Sequence, residues 1–128
     1  MRSAIVQLAG VLMLLSALAH GLMGWPAMAA ELAQTAASPD LVAGLGAGWL
    51  WGSVAMAVFG TITLGAGARL RHGNRSGIPA LLAIGLGYVA FGGWAFAARD
   101  FEPFFLLFVL TGIMAAGPVV GAHAGHSK

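Results

Sequence analysis

Few side chains in this chain could do chemistry. His20 is the single histidine inside a long apolar stretch, and it shares a helical face with Ala9, Met13 and Ser16. An imidazole in such a place can hydrogen-bond, stack or ligate an iron or magnesium macrocycle. Ser16, one turn before it, is small enough to let a flat ring approach. Small-x-x-x-His is a short motif that also arises by chance, and no second ligand is visible, so an interfacial, hydrogen-bonded imidazole is the plainer reading. Arg99 is the second candidate, because a guanidinium grips phosphate or carboxylate with two parallel hydrogen bonds. Glu31, Asp40, Asp100 and Glu102 are its candidate ion-pair partners, and a local ion pair is the simpler expectation. Tyr88 lies on the same helical face as Gly85 and Gly92, and Arg99 continues that face. Trp49 and Trp51 flank a glycine stripe, one expected to face outward and the other inward. Together with Phe105, these residues (His20, Trp49, Trp51, Tyr88 and Arg99) could line an aromatic pocket suited to a quinone, a lipid or another flat apolar molecule.

Other chemistry is poorly supported. The chain has no cysteine, which excludes disulfides, thiol redox chemistry and cysteine metal sites. Asp100 and Glu102 read as ordinary loop carboxylates rather than an acid/base pair. His123-x-x-His126 is a lone pair of imidazoles in a tail, whereas stable metal sites need three or four ligands. No catalytic residue, metal or cofactor is expected. Three arginines near one loop do not make a nucleic-acid surface, which needs a broader basic face.

The elements that hold these residues are four long apolar stretches. The chain has 128 residues, 59% hydrophobic and only 8% charged; soluble domains carry roughly 25% charged residues. The stretches cover 3–23, 41–68, 78–98 and 103–120. Each is near or above the ~20 residues that a helix needs to cross a bilayer. They are apolar all round, without the alternation of a membrane β-barrel strand. The expected fold is therefore all-α, a single integral-membrane domain of four transmembrane helices. Pro79 and Pro103 mark helix starts, and Asp40 is placed to cap the second helix after Ser38-Pro39. Residues 26–37 read as a short connector helix lying at the interface, and 121–128 as a tail.

Charge distribution orients the bundle. Arg2, Arg69, Arg71, Arg75 and Lys128 fall on one side and Arg99 alone on the other. The positive-inside rule then places both termini in the cytoplasm, for a multi-pass protein of a bacterial-type inner membrane. The start of the chain also resembles a secretory signal peptide, with Ala27-Met28-Ala29 before Ala30. Its apolar run is longer than is usual for one, so retention is expected.

Gly44, Gly48 and Gly52 are spaced by four, and Gly85 and Gly92 repeat the idea on the third helix. Such stripes let helix backbones approach closely in lipid, within the chain or between copies. Phe101, Phe104, Phe105 and Phe108 read as lipid or partner contacts. Three functional classes follow. The first is a non-enzymatic membrane module: an accessory subunit of a larger complex, or a binder of a lipid or quinone in the outer-leaflet half. The second is a small oligomeric transporter, against which stands the absence of any charge near the middle of a span. The third is a haem- or chlorin-binding protein using His20. The bilayer, a second copy or a membrane complex are the expected partners.

Overall fold

The computed structural model describes residues 1–120. The His123/His126 tail lies outside the described residues. All regular structure among the described residues is helical. In order, α1 covers Arg2–Ala19, a π-helical turn covers His20–Gly24, α2 covers Trp25–Leu32, α3 covers Pro39–Arg71, α4 covers Ile78–Ala98, and a 3-10 turn at Pro103–Phe105 leads into α5, Leu106–Val120. Four of the resulting segments are long and apolar enough to cross a membrane: Arg2–Leu32, Pro39–Arg71, Ile78–Ala98 and Pro103–Val120. By length and composition, these four candidate spans suggest a multi-pass membrane protein.

The first segment departs from the sequence expectation. The apolar run does not end at Gly24-Trp25-Pro26, and 26–37 is not a separate connector. The helix continues through Pro26 because proline near the start of a new helical register has no N–H to lose there. The π turn supplies that register change: His20 O accepts from the Trp25 N–H, five residues on. Helix α3 also begins differently from the sequence expectation. Its N-cap is Ser38, whose Oγ accepts from the Leu41 N–H at 3.3 Å, with Pro39 at the first helical position and Asp40 in the first turn. Asp40 stays favourable there, since a carboxylate complements the positive end of the helix dipole.

The helices pack as two pairs, α1 along α3 and α4 along α5, joined mainly where α1 meets α5; α3 and α4 touch little. Both pairs owe their closeness to missing side chains. A Cβ on Gly10 of α1 would lie 2.9 Å from the Leu64 backbone nitrogen, and one on Gly60 would lie 2.9 Å from Gly10 O. On the other side, a Cβ on Gly85 would meet the Ala116 Cβ at 2.6 Å and Gly112 O at 2.7 Å, and one on Gly92 would meet the Val109 nitrogen at 2.9 Å. Gly44 and Gly48 have nothing within 4 Å, so within the chain that part of the expected stripe is not a packing face. Gly46, two residues along and on another face, takes the role by lying under the Trp25 ring, 2.7 Å from where its Cβ would be.

At the arginine-rich end the four helices converge. Val6, Ala66, Ile78, Leu81 and Val119 form one buried cluster drawn from all of them. The Arg71 guanidinium donates to the Gln7 side-chain oxygen and ties α3 to the start of α1. The α3–α4 turn closes through Gly73, at φ 76°, where glycine avoids the Cβ clash of the left-handed region. Asn74 Oδ1 accepts from the Ser76 N–H at 2.9 Å within the same turn. Above this lies a second cluster of Ala9, Met13, Tyr88 and Ala115, beside Thr63, whose buried hydroxyl donates to Met13 Sδ at 3.6 Å. Large exposed apolar side chains such as Leu15, Leu22, Leu86, Leu107 and Leu110 cover the outside of the bundle. In water that surface would be untenable; in lipid it is the expected exterior.

Candidate functional site

The two helix pairs separate toward the acidic end, and the gap between them is a cavity of about 960 Å³. Its walls come from every span: Ser16 and His20 from the first, Trp49 and Met56 from α3, Tyr88, Phe91, Trp94 and Arg99 from α4 and its end, and Phe104, Phe105, Phe108 and Thr111 from the last. The size is at the upper end of the roughly 300–1,000 Å³ range of small-molecule sites, which are mostly apolar with a few placed polar groups. Four of the five residues expected to form a pocket meet here: His20, Trp49, Tyr88 and Arg99, with Phe105 beside them. Trp51 does not. It is 72% exposed, turned away from the bundle on the lipid side of α3.

The π turn builds one wall. His20 and Trp49 stack face to face, with ring centroids 4.3 Å apart and planes 2° from parallel. The Trp49 indole N–H also donates to His20 O at 2.7 Å. That carbonyl therefore accepts twice, from Trp25 N across the π turn and from the indole of α3. A regular α-helical turn bends its carbonyls along the axis toward a single donor; the wider turn leaves this one free for a second. A Cβ on Gly24 would meet the Trp49 ring at 2.9 Å, so the glycine is what lets the indole lie flat here. Trp25 packs obliquely on Trp49, at 6.4 Å and 47°. Its position over Gly46 makes it a half-buried clamp between α2 and α3.

His20 is thus fixed at its ring face and its backbone. Its Nε2 faces Gly52 of α3, where a Cβ would come within 3.3 Å of it. Among the described residues there is no group of three or more His, Asp or Glu that could hold a metal ion.

The opposite wall is aromatic. Phe91 and Phe108 meet edge-to-face at 5.1 Å, and Phe108 sits 5.9 Å from Tyr88. Phe104 and Phe105 each contact Phe108 within 6.4 Å. Phe104, Phe105 and Phe108 were expected at lipid or partner contacts, Phe105 in the pocket as well; all three line the cavity. They are brought there by a sharp reversal after α4. Asp100 and Phe101 both have positive φ, 51° and 63°. Aspartate tolerates that region, but phenylalanine does so at a cost of about 1 kcal/mol or more. The Phe101 N–H to Phe96 O bond at 2.9 Å and the edge-to-face contact of the two rings at 5.3 Å hold it.

Arg99 ends α4 at the cavity's mouth. The local ion pair expected for it does not form: no acidic side chain among the described residues comes within 4.0 Å of its guanidinium. Tyr88 lies at the floor, the central residue of α4, and is only 8% exposed. Its hydroxyl is buried with no hydrogen-bond partner among the described residues. The helical spacing puts Tyr88 on the Gly85–Gly92 face, but an unmet hydroxyl has no signature in a sequence.

No protein-family model, no curated protein and no solved structure matches this chain.

Proposed function

We propose that the protein is a non-catalytic membrane module that binds an apolar ligand, a lipid or a quinone, in the outer-leaflet half of the bilayer. The observation that carries this reading is the cavity of about 960 Å³ shared by all four spans. A void of this size between helices in a bilayer does not stay empty; lipid or a dissolved hydrophobe fills it. Its polar groups are few and set apart, with Arg99 at the mouth, His20 on one wall and Tyr88 at the floor. That arrangement suits orientation of a ligand better than acid/base chemistry on it. The orientation follows the arginine count, with both termini cytoplasmic and the cavity toward the outer leaflet of an inner membrane of bacterial type.

Native mass spectrometry of the full chain in a mild detergent tests the reading. A retained adduct of fixed mass above 13.0 kDa is expected. A chain that is bare under conditions that preserve its fold, and that takes up no added lipid or quinone, overturns it.

The other reading is an accessory subunit of a larger membrane complex. It is favoured by α3, the least buried of the four spans, on which Gly44, Gly48 and Trp51 face outward with no neighbour from the chain. Co-purification of a partner polypeptide in fixed ratio would support it.

A further inference from the structure

Many hydrophobes would fit the cavity, and one atom narrows the choice. The Tyr88 hydroxyl is a strong donor, buried and unpaired, in a residue that forms part of the cavity wall. From Arg99 it lies eleven residues back along α4, roughly 16 Å along the axis at 1.5 Å per residue. At that depth neither headgroups nor bulk water reach it, and an unmet hydroxyl in hydrocarbon is costly. A phospholipid whose phosphate sits at Arg99 presents only acyl methylenes there, so it leaves the hydroxyl unmet. A flat ring carrying a carbonyl meets it. The neighbouring wall is aromatic: Phe91 and Phe108, packed edge-to-face on each other at 5.1 Å, both line the cavity beside Tyr88. Met56 borders both the cavity and the buried cluster that contains Tyr88. Its unbranched side chain changes rotamer easily, so the wall beside Tyr88 is adjustable.

We infer that the occupant is a quinone, held head-inward, with one ring carbonyl accepting a hydrogen bond from the Tyr88 hydroxyl. Its isoprenoid or alkyl tail leaves through the open side of the cavity, past exposed apolar liners such as Leu15 and Leu107, toward the lipid. This rests on the reading of the cavity as an apolar-ligand site and specifies the ligand class and its direction of entry.

The test is a titration of the full chain in mild detergent with decylubiquinone, followed by quenching of tryptophan fluorescence, since Trp49 and Trp94 border the cavity. Decylbenzene, which has a tail and a ring but no carbonyl, serves as the competitor. Saturable quenching is expected. Tyr88→Phe should raise the half-saturation about tenfold, the effect of one hydrogen bond near the upper end of the usual range, without lowering the thermal midpoint. The advantage of decylubiquinone over decylbenzene should shrink by the same factor. Equal half-saturation in the two proteins overturns the head-inward quinone and leaves the apolar-ligand reading standing. So does the absence of saturable quenching when phosphatidylglycerol is retained in native mass spectra, which assigns the cavity to a lipid. Binding of none of the three probes removes the apolar-ligand reading itself. If Tyr88→Phe fails to fold, the decylbenzene comparison on the unaltered chain decides: equal affinity for both probes overturns the carbonyl contact.

Discussion

The two ends of this bundle solve opposite problems with the same four helices. At the arginine-rich end, glycine and alanine let backbones touch, and Val6, Leu81 and Val119 fill what space is left. At the acidic end, the pairs diverge, and large aromatic rings line a gap rather than close it. In water the hydrophobic effect would collapse such a gap. In a bilayer the lipid tails are as apolar as the core, so association rests on close packing and hydrogen bonds. A bundle can therefore be tight where glycine permits and open where it does not. The lesson is that small residues decide where this fold is rigid, and aromatic residues decide where it can hold something.

That contrast can be broken most forcefully at the tight helix pair. Gly85→Leu places a side chain against Gly112 O and the Ala116 backbone, neither of which can yield. A loss of about 3 kcal/mol is expected from overpacking, read as a lowered midpoint in a detergent unfolding titration. The open half should behave differently. Ala19→Trp, at an exposed position on the cavity wall, should change stability by less than ~0.5 kcal/mol. Probe affinity should fall by roughly 30-fold, or about 2 kcal/mol; unchanged affinity would mean that the probe binds elsewhere. Next in size is Trp49→Phe, which keeps a ring against His20 but removes the donor to its carbonyl. The expected cost is about 1 kcal/mol, with a downfield or upfield change confined in NMR spectra to residues 20–25 and their neighbours. A change spread evenly over the chain would contradict a local role. The smallest effect should come from Gly48→Leu, within ~0.5 kcal/mol of the parent, because nothing lies within 4 Å of that position. If it nevertheless alters the oligomeric state in detergent, the outward face of α3 is an interface, and the accessory-subunit reading gains.

The sequence was most legible where the chain has punctuation. Pro79 and Pro103 stand at the first turns of their helices, and the helix bounds 78–98 and 103–120 could be placed from them. It was least legible where the signal has more than one reading. Helix α3 is small-residue-rich on several faces, so a stripe at spacing four does not reveal which face meets the first span; Gly60 and Gly67 meet α1 and Gly46 meets Trp25 of α2, whereas Gly44 and Gly48 meet neither. Pro26 reads as a break, yet the π turn absorbs it. The pocket residues could be grouped because they lie at similar depth on apolar helices. Trp51 fell outside because neighbouring positions on a helix turn by about 100°, and one tryptophan of a W-x-W pair faces away when the other faces in. The stacking of His20 on Trp49 and the unmet hydroxyl of Tyr88 depend on contacts between distant segments, which no local pattern encodes.

The π turn has a further consequence for how this chain tolerates length changes. Closing a ring five residues wide instead of four, it behaves as a single-residue insertion held inside an otherwise continuous helix, and His20 O bonded to both Trp25 N and the Trp49 indole holds the surplus in place. Removing one residue from 20–24 would let an ordinary helix run straight through. Everything beyond would then turn by about 100° about the axis, carrying Trp25 off Gly46 and Met28 off the cavity wall. A one-residue deletion here should therefore cost more than any single substitution within the same five residues, while leaving the helix content of the chain unchanged.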